Sequence, residues 1–166
     1  MTRNEVRDIV CSNTHLSVDE LMRMTGAGIM QVFNHLMDTK IDEMAKLVEY
    51  EFGKEKVPKK IRVSYSLKEY NVLGKAYTDI NLIKLDMDLI KRYKEYYIKH
   101  TFAHEYAHLV VEKIFPKHRR ENGTPVDPHG NTFRYVCRLF GINGDSHSDL
   151  DFLSSAPLSQ KFVPGS

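Results

Sequence analysis

Residues 93–115 read YKEYYIKHTFAHEYAHLVVEKIF, and how this stretch folds decides how the rest is read. Its apolar residues recur at helical spacing as far as Pro116, which predicts one long helix from Tyr93 to Phe115. Within it stands His104-Glu105-Tyr106-Ala107-His108. Two histidines four apart on a helix lie one turn above each other on one face, so both imidazoles can reach the same metal ion. Glu105, about 100° round the axis from His104, is poorly placed as a third ligand but well placed to act as general base on a water beside that metal. Phe102, Ala103, Leu109, Val110 and Val111 bury the other sides and leave the histidine face to a cleft. His100 repeats the four-residue spacing but is followed by Thr101, so that pair offers no base and reads as a supporting or surface residue.

Upstream of this helix the rhythm changes. Ile61, Val63 and Tyr65 alternate with Arg62, Ser64 and Ser66, the two-residue period of a half-buried strand. Lys75 to Ile80 and Asn81 to Leu85 are further short strands, which predicts a small antiparallel sheet. Before it, Ile41, Met44, Leu47, Val48 and Phe52 mark an amphipathic helix stopped by Gly53. The first 38 residues hold further helical patterns, with Ser17 and Glu20 at capping-box spacing and a break at Gly26. Downstream, a last helix carries Phe133, Val136, Cys137 and Phe140 on one face and stops at Gly141.

A catalytic zinc usually has three protein ligands and one open position, so a third donor is required. The tight metzincin continuation is excluded because Val111 and Ile114 stand where it needs glycine and histidine. No glutamate occurs after Glu121, which leaves histidine. His118 follows the motif too closely and lies among Lys117, Arg119 and Arg120, while His147 lies in the polar tail. His129 is the best-placed donor: Asp127 and Pro128 read as an N-cap and first-turn proline of a helix that presents it.

Composition narrows the classes. With 166 residues, 42% hydrophobic and 28% charged, the chain is long enough for one core and too apolar to be disordered. A net charge of +2 gives no bulk attraction to nucleic acid or membrane, so any such contact must be local. Two distant cysteines, Cys11 and Cys137, exclude a disulfide scaffold and a four-cysteine zinc ribbon. The absence of a transmembrane run or an apolar leader gives the expectation of a cytoplasmic protein that does not enter a membrane.

His104-Glu105-xx-His108, followed by His129-Gly130-xx-Phe133 and then Gly141, resembles the SprT-like metallopeptidase domain, the group that includes Spartan, a protease of DNA–protein crosslinks. The order of helix, strands and motif helix fits as well. The resemblance covers roughly residues 39–145, leaving 1–38 as a helical extension and 146–166 as a polar tail. It implies a minimal zincin-like α+β domain that binds one Zn²⁺ through His104, His108 and His129, with Glu105 as catalytic base and proteins, including DNA-associated ones, as substrates. Many relatives carry a C-terminal zinc ribbon; with its two cysteines this chain has none.

Peptide hydrolysis calls for a second oxyanion donor, and Tyr106, Arg134 and Tyr135 are the candidates. For nucleic-acid contact, Lys54, Lys56, Lys59, Lys60 and Arg62 form one basic stretch, and Lys117, Arg119 and Arg120 lie in another. Residues 17–36 have helix-turn-helix spacing, but Gly28, Ile29 and Met30 at the reading positions offer base edges no hydrogen bonds, so a plain helical cap is the reading kept. The alternative to an enzyme is a DNA- or protein-binding module with a structural metal and no proteolysis.

Overall fold

A computed structural model of the chain describes residues 1–116 and 130–144. The chain begins with α1 (Arg3–Ser12) and α2 (Val18–Thr25). Ser17 Oγ accepts from the Glu20 amide at 3.1 Å while the Glu20 carboxylate accepts from the Ser17 amide at 3.4 Å, the reciprocal capping expected from the sequence. Next comes α3 (Ile29–Phe52), 24 residues and roughly 36 Å long. The two patterns read at 29–36 and 41–52 are thus one helix, which runs unbroken across residues 38 and 39. Val32, Phe33, Leu36, Met37, Met44 and Val48 give it a buried stripe, and α1 and α2 pack along it.

After a short 3₁₀ turn, β1 (Arg62–Ser64), β2 (Gly74–Tyr77) and β3 (Leu82–Leu85) form a three-stranded sheet in the order β1-β3-β2. β2 and β3 are a hairpin with Ala76 opposite Ile83, whereas β1 runs parallel to β3 with Val63 opposite Ile83. The expected antiparallel sheet is therefore mixed. Alternation reveals that a stretch is a strand, but strand direction is set by the connections, and residues 65–73 return the chain to the far side of β3. Val63, Ile83, Leu85 and Ala76 turn inward, and Tyr65 at the end of β1 packs on Phe33 with ring centroids 5.2 Å apart.

The expected long helix is divided. Asp86 caps α4 (Met87–Tyr96) by accepting from the amides of Asp88 and Leu89. The backbone departs from helical angles at Tyr93, and Tyr97–Phe102 then form a π-helical segment before α5 (Ala103–Ile114) resumes. Tyr97 shows what the wider turn achieves. Its buried hydroxyl accepts from the Asp86 amide at 2.8 Å and donates to the Leu73 carbonyl, which joins the start of α4 to the strand leading into β2. Lys94, only 9% exposed, donates to the Thr14 carbonyl and ties the α1–α2 loop to α4.

The last described element, α6 (Asn131–Leu139), has Gly130 as its N-cap, and the cap expected at Asp127 and Pro128 lies outside the described residues. Gly141 follows at φ +79°, donating to Arg138 O while Ile142 donates to Cys137 O, both at 3.0 Å. That pair of bonds requires a left-handed residue, which glycine supplies without Cβ strain. The whole is an α+β domain. Among the described residues no helix is long and apolar enough to cross a membrane.

Candidate metal centre

α5 carries the whole HExxH motif, His104 to His108. His104 and His108 stand with ring centroids 5.1 Å apart and planes at 73°. Phe133 of α6 packs on both, edge-on to His104 at 4.8 Å and stacked on His108 at 4.5 Å and 25°. A fully buried phenyl ring thus fixes the orientation of two imidazoles. His104 is 5% exposed and Glu105 6%.

Glu105, the next residue on α5, meets Gly74 of the sheet. A Cβ placed on Gly74 would stand 3.0 Å from Thr101 Cγ2 and 3.1 Å from Glu105 Cγ. The missing side chain lets edge strand β2 lie this close to the carboxylate-bearing face of α5 without pressing on Thr101 or Glu105. Thr101, fully buried in the π segment, forms the other wall. Neither Gly74 nor Thr101 was marked by the sequence reading, although an isolated glycine within a strand pattern is a recognised sign of close backbone approach.

Sequence candidates around the motif are partly brought together. Tyr106 is a correction: it is fully buried, packs on Phe140 at 5.7 Å, and lies on the side of α5 opposite His104. Burial pushes its phenol well above the usual range, so the hydroxyl stays protonated, and it is its place in the core that keeps it from the histidine face. Arg134 and Tyr135 stand exposed on α6. Tyr135 donates to Glu51 at the end of α3, and that hydrogen bond raises its pKa. His100 is half-buried and stacks on Tyr96 at 6.0 Å.

His129 lies outside the described residues, as do His118, His147, Lys117, Arg119 and Arg120. Among the described residues no third His, Cys, Asp or Glu completes a metal-holding group with His104 and His108. Residue 129 is joined directly to Gly130, the cap of the helix whose Phe133 covers the histidine pair. Of the basic residues, Lys54, Lys59, Lys60 and Arg62 are exposed, while Lys56 is half-buried and donates to the Lys113 carbonyl at 3.3 Å.

The sequence model of the SprT-like family matches residues 41–148, well over half of the chain. Among curated proteins, Protein SprT of Vibrio atlanticus is 29% identical over 122 residues, 72% of this chain and 66% of that protein. Protein SprT of Pseudomonas fluorescens strain Pf0-1 is 28% identical over 102 residues, 61% of this chain and 56% of its own length. Protein SprT of Pseudomonas aeruginosa strain LESB58 is 30% identical over 73 residues, 43% and 40% of the two chains. The chain thus spans between about a third and two thirds of the length of the curated relatives it matches. No solved structure matches it. With the HExxH helix, the preceding strands and the following helix all inside the matched segment, the chain belongs to the SprT-like family.

Proposed function

We propose that the chain is a zinc-dependent metallopeptidase of zincin-like architecture, with His104, His108 and His129 as ligands and Glu105 as general base. The observation that carries this reading is the paired imidazoles beside a buried carboxylate on one helix. Two imidazoles bound to one tetrahedral zinc through nitrogens at about 2.1 Å place their ring centroids about 5.2 Å apart, and these stand at 5.1 Å. The spacing of these two donors is the one that two imidazoles on a single zinc require. When bound, zinc supplies a Lewis acid for a scissile carbonyl and acidifies water toward neutral pH.

The chain's own groups do the rest. Glu105 receives the proton of the attacking water and passes it to the amine nitrogen that leaves, so its carboxylate is restored at the end of the cycle. Among the described residues β2 pairs with β3 on one side only, so its other edge offers backbone N–H and C=O groups to an extended peptide. With Gly74 against Glu105, a peptide laid along that edge passes the carboxylate. The substrate class is protein, with DNA-associated proteins proposed on the family resemblance. Glu105→Gln tests the reading: zinc content stays unchanged while casein cleavage falls by about 10²–10⁴-fold. Undiminished cleavage by the variant removes Glu105 from the role.

A further inference from the structure

Away from the histidine pair, a cavity of about 430 Å³ opens where the N-terminal helices meet the rest of the domain. That volume lies within the range of small-molecule sites, roughly 300–1,000 Å³. One wall precedes the family-matched segment: Thr14 in the α1–α2 loop, and Leu36 and Thr39 on α3. The facing wall is Lys94 near the end of α4, Ile98 and Lys99 of the π segment, and Phe140 at the C-cap of α6. Leu36 and Phe140 are buried, and with Ile98 they give the cavity an apolar side. Its cations are unevenly met. An ammonium group carries three N–H donors. The Thr14 carbonyl takes one from the buried Lys94, and among the described residues nothing takes the other two. Burial pulls the Lys94 pKa down, against the opposing pull of Glu95 and Glu20, so a further anion beside it relieves a cost. Lys99 has no ion pair or hydrogen bond among the described residues. Lys40, by contrast, is held by Glu43 at 3.4 Å. With that pair set aside, Lys94 and Lys99 face one lining carboxylate, the exposed Glu95, which leaves a surplus of one positive charge.

We propose that this cavity binds a small organic monocarboxylate, its carboxylate on Lys94 and Lys99 and its hydrocarbon part against Leu36, Ile98 and Phe140. A surplus of one charge matches a single carboxylate better than a phosphate dianion, and the apolar side rewards a ligand that carries hydrocarbon. A free acid and the C-terminus of a peptide both offer this chemistry, and the test separates them. The site needs neither zinc nor proteolysis. It is specific to the way the N-terminal helices sit on the domain, because Thr14, Leu36 and Thr39 come from before the matched segment.

The test is isothermal titration calorimetry of the full-length chain with 3-phenylpropanoate, its neutral amide, an acetylated tripeptide ending in a phenylalanine carboxylate, and inorganic phosphate. The account predicts saturable binding of one equivalent of the free acid or of the tripeptide, the tighter of the two identifying the source, and none of the amide. Lys99→Gln, at an exposed position that folding does not need, weakens that binding about ten- to hundredfold. Lys94→Met does the same where it folds, and Lys91→Ala, exposed on α4 outside the cavity, leaves binding unchanged. No saturation by either carboxylate up to about 10 mM overturns the proposal. So does an amide or phosphate that binds as tightly as the acid, or affinity indifferent to Lys99→Gln. Because binding is read without cleavage, loss of the peptidase reading would not disturb the result.

Discussion

Gly74 and Glu105 show how a single missing side chain sets the geometry of a site. Gly74 lets β2 approach Glu105 Cγ to 3.1 Å from where a Cβ would stand. Gly74→Ala is expected to displace the carboxylate by a few tenths of an ångström, lowering kcat about tenfold or more while zinc content and fold persist. A kcat equal to wild type shows that Glu105 does not depend on this contact. The spacing of His104, Glu105 and His108 was legible because one helix carries all three. The Phe133 ring that covers the histidines and the Gly74 approach depend on tertiary packing, and no local period announces them. Tyr106 was misplaced for a different reason. Two residues beyond His104 on a helix is about 200° round the axis, so its inward position could have been read from phase alone.

At the level of elements, the motif helix owes its placement to the segment before it. The π turns at Tyr97–Phe102 and the buried hydroxyl of Tyr97 connect α4, the approach to β2 and the start of α5. Tyr97→Phe leaves the Asp86 amide and Leu73 carbonyl without this partner and is expected to cost about 1–3 kcal/mol in urea unfolding. A variant as stable as wild type shows that the bridge is not structural. Apolar periodicity predicted a single helix over 93–115 because one extra residue in a turn shifts the phase too little to break the pattern. Strand positions were readable from alternation at Ile61, Val63 and Tyr65. The parallel pairing of β1 with β3 was not, since it is decided by a connection whose own sequence has no period.

Across the whole molecule, one α+β core joins the N-terminal helices to the sheet and to the HExxH helix. His35 on α3 is buried at 4% exposure, and among the described residues neither ring nitrogen has a hydrogen-bond partner. Burial pushes its pKa down, outweighing the opposing pull of Asp38, and Arg7 and Arg3 lower it further. A base with a depressed folded-state pKa takes up its proton more readily when unfolded, so stability is full above the unfolded value near 6.5 and declines as pH falls below it. His35→Leu is expected to flatten the fall in Tm between about pH 6.5 and 5 relative to wild type. Parallel curves for the two proteins show that His35 does not govern acid sensitivity.

The central claim is that His104 and His108 share one zinc ion with His129. Metal analysis of the full-length protein after exhaustive dialysis, beside His104→Ala, His108→Ala and His129→Ala, tests it most directly. The account predicts one equivalent of zinc in the wild type and a large loss of affinity in each variant. A metal-free wild type, or a His129→Ala protein that holds zinc as tightly as its parent, contradicts it.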